Sequence, residues 1–276
     1  MVKVAITSDN HFDVNQLDSG ELLKQQAMVL ADRHVDYYLI AGDTFNDFEK
    51  TVAYVDALQK ELGTVTKVFF LAGNHDMAKG VSYEELETPI NAHYLHNRYV
   101  DLPGTDWRII GNNGWYDYTF AEQLFDQLSE ADFATWKRAY WYDGVIKQPM
   151  SDPEREDIVL AQTATQLLAA NTAGKRILYV THFVPRADYI RITDDNRFRN
   201  MANALLGSRR LGDVLSKGGV TYAQFGHLHI KPAPRLLDGV TYFNQSVGYF
   251  THRITEWEHH DFMDEWINRL RILDLQ

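Results

Sequence analysis

The chain has 276 residues, 45% of them hydrophobic and 24% charged. That is a globular composition with enough apolar surface for a core, and it excludes global disorder. Its 27 Lys and Arg against 38 Asp and Glu leave a formal charge of −11, which disfavours a nucleic-acid partner held on a general basic surface. There is no Cys. Disulfides, thiolate metal sites and thiol nucleophiles are therefore excluded, and any metal must be held by His, Asp, Asn or Glu. The opening residues MVKVAITSDNH do not read as a signal peptide, and no segment approaches the ~18 apolar residues of a membrane span. The expectation is a cytoplasmic protein without a membrane partner.

In chain order, residues 2–7 form the first run of strand length. A helix follows, opened by the capping pattern Asp18-Ser19-Gly20-Glu21 and carrying Leu23, Ala27, Leu30 and His34 at helical spacing. A strand at 37–40 is followed by a second apolar stripe, Val55, Leu58 and Leu62, and then by a strand at 68–71. Residues 79–100 and 112–150 are less regular. The second stretch is crowded with Trp115, Tyr116, Tyr118, Phe120, Trp136, Tyr140, Trp141 and Tyr142, which are expected to pack against the core rather than to stack on a ligand. A strand at 108–110 precedes that stretch. Residues 152–170 read as a helix with Pro153 in its first turn, and strands follow at 177–180, 222–225 and 240–243. Alternating strands and helices in the first third indicate βαβ units. Without repeats or linkers, residues 1–276 are expected to form one domain, with an aromatic-rich insertion around 112–150.

The residues that follow the strands carry the chemistry. VAITS runs into Asp9-Asn10-His11, YYLIA into Gly42-Asp43, and VFFLA into Gly73-Asn74-His75-Asp76. ILYVT runs into His182, and TYAQF into Gly226-His227-Leu228-His229. Ligands of open α/β sheets bind at the carboxyl ends of strands, and five strands here end in metal-ligating residue types. Asp9, His11, Asp43, Asn74, His182, His227 and His229 are more than one ion needs. They suit two ions that share a carboxylate and leave positions for water and substrate. Imidazole and carboxylate donors are compatible with Mn, Fe or Zn, and equally with Co or Ni. On an extended segment, His227-x-His229 places both imidazoles on one face. His34, His93, His96, His252, His259 and His260 have no such context and are expected at the surface or in packing.

The ordered set D-x-H, G-D, G-N-H-D, H and G-H-x-H resembles the signature of the calcineurin-like metallophosphoesterases. It is spread over residues 9–229 with no ligand position missing. The turn Asn244-Gln245-Ser246-Val247-Gly248 is similar to one that follows the last signature strand in many members. The resemblance implies a four-layer α/β/β/α sandwich with two divalent ions at the strand ends. Asp9, His11, Asp43 and His229 would hold one ion. Asp43, Asn74, His182 and His227 would hold the other. His75 would stand over the ions without ligating and protonate the leaving oxygen or stabilise the transition state. The implied activity is hydrolysis of a phosphodiester or phosphomonoester of a small molecule by a metal-bridging hydroxide. A metal-dependent nuclease and a catalytically silent scaffold of the same fold are the alternatives.

Where protein phosphatases of that family have G-D-x-x-D-R-G, this chain has Gly42-Asp43-Thr44-Phe45-Asn46-Asp47-Phe48. Asn46 takes the place of the acid and no Arg follows, so a protein phosphatase is disfavoured. Asp47 and Asp76 become the candidates for orienting His75. The G-D-x-F piece is shared with a DNA-repair nuclease branch, and the acidic charge opposes that choice. Residues around 183–210 are expected to flank the substrate pocket, because they leave the strand end at His182. That segment begins with four arginines against Asp188, Asp194 and Asp195. Arg186, Tyr189 and Arg191 are its candidate substrate-binding residues, since a guanidinium suits bidentate phosphate contact.

Overall fold

The computed structural model describes residues 1–194 and 196–276. Asp195, part of the segment expected to flank the pocket, lies outside the described residues. Ten strands are present among the described residues: β1 (Val2–Thr7), β2 (Tyr37–Ala41), β3 (Lys67–Leu71), β4 (Arg98–Asp101), β5 (Trp107–Gly111), β6 (Arg176–Val180), β7 (Tyr222–Phe225), β8 (Arg235–Leu237), β9 (Val240–Asn244) and β10 (Arg271–Leu275). The α-helices are α1 (Ser19–Asp32), α2 (Phe48–Leu62), α3 (Tyr83–Leu86), α4 (Glu130–Tyr140), α5 (Asp152–Thr172), α6 (Arg197–Asn203), α7 (Arg209–Lys217) and α8 (Phe262–Arg269). One sheet runs β10-β1-β2-β3 and the other β4-β5-β6-β7-β9-β8. Strands β1, β2 and β3 are parallel, as are β5, β6, β7 and β9. Only β10, β4 and β8 run antiparallel to their neighbours.

Side-chain alternation along the strands sorts the core into three layers. Val4, Ile6, Leu39 and Ala41 of the first sheet pack with Ile109, Leu178 and Val180 of the second. The intervening Ala5, Tyr38 and Ile40 face outward onto Leu23, Leu30, Val55, Leu58 and Trp266. On the other side, Ile177, Tyr179 and Ala223 meet Leu160, Leu167, Leu211 and Leu215 of α5 and α7. Three interlayer cores between two sheets and their helices make the four-layer α/β/β/α arrangement expected from the signature.

Local signals mostly act as anticipated. Asp18 caps α1 by accepting from the Gly20 and Glu21 amides at 3.0 and 3.3 Å. Reciprocal capping boxes instead belong to Ser82–Glu85, Ser129–Asp132 and Ser151–Glu154. His34 lies beyond α1 with φ of 55° rather than extending its stripe. Trp115, Tyr116, Tyr118 and Phe120 are buried as expected. Trp115 Nε1–H and Lys137 Nζ both donate to Asp152 at the start of α5, at 2.9 and 2.7 Å, which ties this aromatic stretch to α5. Tyr140 and Tyr142 do not follow the packing expectation, since both are exposed. His96 is a packing residue, with Nε2–H donating to Glu87 at 3.1 Å.

Candidate metal centre

Parallel strands deliver their carboxyl ends to one edge, and there the backbone is forced into sharp turns. Asp9, His11, Asp43 and His227 have φ of 56°, 46°, 56° and 63°, a region that non-glycine residues seldom occupy. The turns brace one another. The Asp9 amide donates to the Gly42 carbonyl at 2.9 Å, His11 to Asp43 at 3.0 Å, and Gly226 to His182 at 2.9 Å. Glycine at 73 is a packing requirement, because a Cβ there would stand 2.0 Å from Asp43 Oδ1.

All seven residues expected to ligate converge. Asp43 Oδ1 accepts the His75 amide at 2.9 Å. Its Oδ2 is left between His11 Nε2 at 3.6 Å and His182 Nε2 at 3.4 Å. On one side of it, Asp9 Oδ1 lies 3.2 Å from His229 Nε2, and His11 Nε2 lies 3.2 Å from the same nitrogen. On the other, His182 Nε2 lies 3.1 Å from Asn74 Oδ1 and 3.2 Å from His227 Nδ1. Asp9, His11 and His229 form one group with mutually close donor atoms, and Asp43, His182 and His227 form a second. His75 also falls within reach of His11 and Asp43.

The hydrogen bonds behind these side chains decide whether they suit a cation. His182 Nδ1–H donates to the Ala41 carbonyl at 2.9 Å, and His229 Nδ1–H donates to Glu256 Oε2 at 2.8 Å. In the neutral tautomer, each Nε2 is then a lone pair aimed at other acceptors, namely Asn74 Oδ1 and Asp43 for His182 and Asp9 for His229. Asn74 is oriented in the same way. Its amide nitrogen donates to the buried Asp143 at 2.7 Å, so its oxygen faces inward. Acceptors facing acceptors in a buried site call for a positive charge, and the donor set fits a divalent ion.

Without that charge the cluster competes for protons. Burial opposes ionisation of His182 and His229. Asp43 and Asp9 around His182 nevertheless raise its pKa to about 9, and the bonds to Asp9 and Glu256 raise that of His229 to about 10. Burial and the neighbouring His182 push His227 down to about 3.

His75 stands beside this cluster, and its Nδ1–H donates to Asn46 Oδ1 at 2.7 Å. Tyr249 OH donates to its Nε2 at 3.0 Å, and the Tyr142 ring stacks on it at 4.3 Å, 15° from parallel. Neither carboxylate expected to orient His75 does so. Asp47 caps α2 and pairs with Lys79 at 2.7 Å. Asp76 is buried and accepts from the amides of Asp43, Thr44, Phe45 and Gly73 and from the Thr51 hydroxyl. It therefore shapes the Gly42-Asp43 turn. Burial and the nearby Asp43 raise its pKa to about 7. The sequence reading missed Tyr249, Glu256, Tyr142 and Asp143. Tyr249 directly follows the Asn244–Gly248 turn and had a signal. Tyr142 stands in the aromatic-rich stretch expected to pack against the core, and Asp143 and Glu256 come from irregular segments and had no signal.

A family model described as calcineurin-like phosphoesterase matches residues 2–231. The chain belongs to that family of metal-dependent phosphoesterases. No curated protein matches it. Among solved structures, it resembles a phosphopantetheinyl hydrolase from Mycobacterium tuberculosis, with a TM-score of 0.64 and 17% identity over 98% of this chain and 95% of that one. It also resembles a dimetal phosphatase from Danio rerio, with a TM-score of 0.51 and 14% identity over 88% of this chain and 86% of that one. At these identities the likeness is one of fold.

A cavity of about 480 Å³ opens over the strand ends of this phosphoesterase. It is lined by Asp43, Asn74, His75, His227, His229 and Glu256 and by the apolar faces of Trp141, Tyr142, Leu206, Leu228, Ile230 and Tyr249. The residues expected to bind substrate are not there. Arg186 pairs with Asp188 at 2.9 Å and Asp238 at 2.7 Å. Tyr189 is buried against Phe225, and Arg191 is exposed, with its carbonyl accepting from Asn203. Among the described residues of the 183–210 segment, only Leu206 lines the cavity. The chain turns away after His182 because Val184 makes a bridge with Gly207, which carries the intervening residues off the strand end. No described helix is long and apolar enough to cross a membrane.

Proposed function

We propose that this chain is a dinuclear metal-dependent phosphoesterase acting on a phosphodiester or phosphomonoester of a small molecule. The observation that carries this is Asp43 Oδ2, placed between two imidazole nitrogens that belong to two separate donor groups. Asp9, His11, Asp43 and His229 would hold one ion and Asp43, Asn74, His182 and His227 the other, with Mn, Fe or Zn suiting these donors. When bound, such ions neutralise phosphate charge and supply a nucleophile from water at neutral pH.

The chain's own residues do the rest. Asp143, Glu256 and the Ala41 carbonyl fix the orientation of Asn74, His229 and His182. Asn46 holds the His75 ring with Nε2 toward the cavity; burial lowers its pKa, and once protonated at Nε2 the imidazole would donate to the departing ester oxygen. Tyr249 OH donates to that Nε2 at 3.0 Å.

The test is elemental analysis after loading with Mn²⁺, Fe²⁺ or Zn²⁺, followed by a turnover screen of phosphomonoesters, cyclic nucleotides, dinucleotides and headgroup diesters. A phosphopantetheinyl ester joins that screen because of the name of the Mycobacterium tuberculosis neighbour. Two ions per chain with turnover of a small ester supports the proposal. Preference for single-stranded DNA would replace it with the nuclease reading, and two ions without any turnover would favour the silent scaffold.

A further inference from the structure

The cavity beside His75 has an unusual balance of walls. Six side chains give it apolar or aromatic surface: Trp141, Tyr142, Leu206, Leu228, Ile230 and Tyr249. Among the described residues lining it there is no Lys or Arg, and its outer carboxylate is Glu256. A first phosphoryl charge has the strand-end cluster to receive it. A second anionic group on the same substrate would have no partner there. It would lose water against apolar walls and stand near a carboxylate, in a chain of net charge −11.

The aromatic wall is also anchored to the metal-type residues. Trp141 and Tyr142 continue from the end of α4. The next residue, Asp143, is fully buried and accepts from Asn74 at 2.7 Å. Gly144 lies so close to α4 that a Cβ would stand 2.8 Å from the Lys137 carbonyl. Tyr142 is thus held between two fixed points. Its ring lies flat on His75 while 40% of its surface stays exposed, so it is available to an organic group attached to the reacting phosphate.

Building on the phosphoesterase proposal, we infer that the substrate is a phosphoester whose organic portion is uncharged and apolar or aromatic, and that Tyr142 is the residue that selects it. Polyphosphate nucleotides, nucleic acids and esters with a carboxylate near the phosphate are excluded by the same walls.

The experiment uses metal-loaded full-length protein and three 4-nitrophenyl phosphodiesters whose second substituent is ethyl, phenyl or 2-carboxyethyl. In parallel, binding of phenylphosphonate and carboxymethylphosphonate is measured by calorimetry. Expected are kcat/KM values at least about tenfold higher for phenyl than for carboxyethyl, and the same order in binding. Tyr142→Ala should bring the phenyl-to-ethyl ratio close to one, and Tyr142→Phe should preserve it. Equal or better turnover of the carboxyethyl diester, or a Tyr142→Ala loss that is uniform across the series, would overturn the inference and leave the phosphoesterase proposal standing. Selective binding of phenylphosphonate without turnover of any diester would overturn the phosphoesterase proposal, and with it the claim of a substrate, while leaving the selection of an uncharged apolar group by Tyr142 in place.

Discussion

His75 donates its Nδ1–H to the side-chain oxygen of Asn46 at 2.7 Å. An amide fixes the ring and its tautomer without the negative charge that a carboxylate would place there, so orientation is separated from charge at this position. The His75→Ala variant is expected to keep its metal and lose roughly 10²–10⁴ in kcat on esters of aliphatic alcohols. The loss should shrink for 4-nitrophenyl esters, whose leaving group needs little protonation. Metal content and kcat across a leaving-group series check this. An equal loss for all leaving groups would remove His75 from proton transfer.

Asp43 supplies one oxygen to the His75 amide and the other to the space between His11 and His182. Asp43→Asn retains an acceptor for the amide and removes the charge that both donor groups share. Metal content should fall from two ions per chain in the wild type toward none, with activity lost in parallel. Asp9→Asn should empty one site preferentially. Elemental analysis after dialysis reads both. Wild-type protein that never exceeds one ion would refute the dinuclear assignment.

Glu256 acts through His229, whose Nδ1–H it accepts at 2.8 Å, and it also accepts the Tyr249 amide at 2.7 Å. Removing it by Glu256→Ala leaves the His229 ring free to rotate. Metal affinity is expected to fall by roughly 10–100-fold, measured by titration with a competing chelator. Glu256→Gln restores an acceptor and should recover part of that loss. If Glu256→Ala binds metal as tightly as the wild type, the carboxylate is only a loop brace for Tyr249.

Arg186 is engaged with Asp188 and Asp238 and does not line the cavity. Arg186→Ala should therefore leave KM within roughly twofold of wild type on the true substrate, with a stability cost of about 0–1 kcal/mol for a surface ion pair. A large rise in KM would restore the expectation drawn from its proximity to His182 in sequence.

Those two cases mark what the sequence makes legible. Asp9, His11, Asp43, Asn74, His182, His227 and His229 announce themselves because each follows a buried apolar run, and parallel strands must bring their carboxyl ends to one edge. The buried strands β1, β2, β3, β5, β6, β7 and β9 are readable to within a residue or two, since hydrophobic burial sets them. Glu256 and Asp143 act from segments whose path is set by tertiary packing, and nothing local distinguishes them from surface residues; Tyr142 stands out as part of an aromatic cluster, but composition alone favours packing for it. Arg186 misleads for the same reason. Closeness to His182 along the chain does not survive the bridge between Val184 and Gly207. β4, β8 and β10 have no counterpart among the apolar runs, because each is a partly exposed antiparallel strand at a sheet edge.

Glu156 tests the packing of the fold away from the site. It lies in α5, fully buried, with the Ser208 side chain and the Trp115 backbone as polar neighbours and no hydrogen bond of good geometry to either carboxylate oxygen. Burial, reinforced by the nearby Asp117, raises its pKa well above the usual carboxylate value of 4.5. The folded state therefore prefers the protonated acid. Below pH 4.5 the acid is neutral both folded and unfolded, and its ionisation carries no penalty. As pH rises above that value, the unfolded chain ionises freely while the folded chain resists, so stability falls until the folded group ionises as well. Glu156→Gln keeps the shape and cannot ionise. In metal-free protein, where the strand-end histidines are common to both variants, Glu156→Gln should raise stability by about 1–3 kcal/mol at pH 8 and change it little at pH 4. Denaturant midpoints measured at the two pH values supply the comparison. A gain of equal size at both would mean that improved packing, and not removal of a buried ionisable group, is responsible.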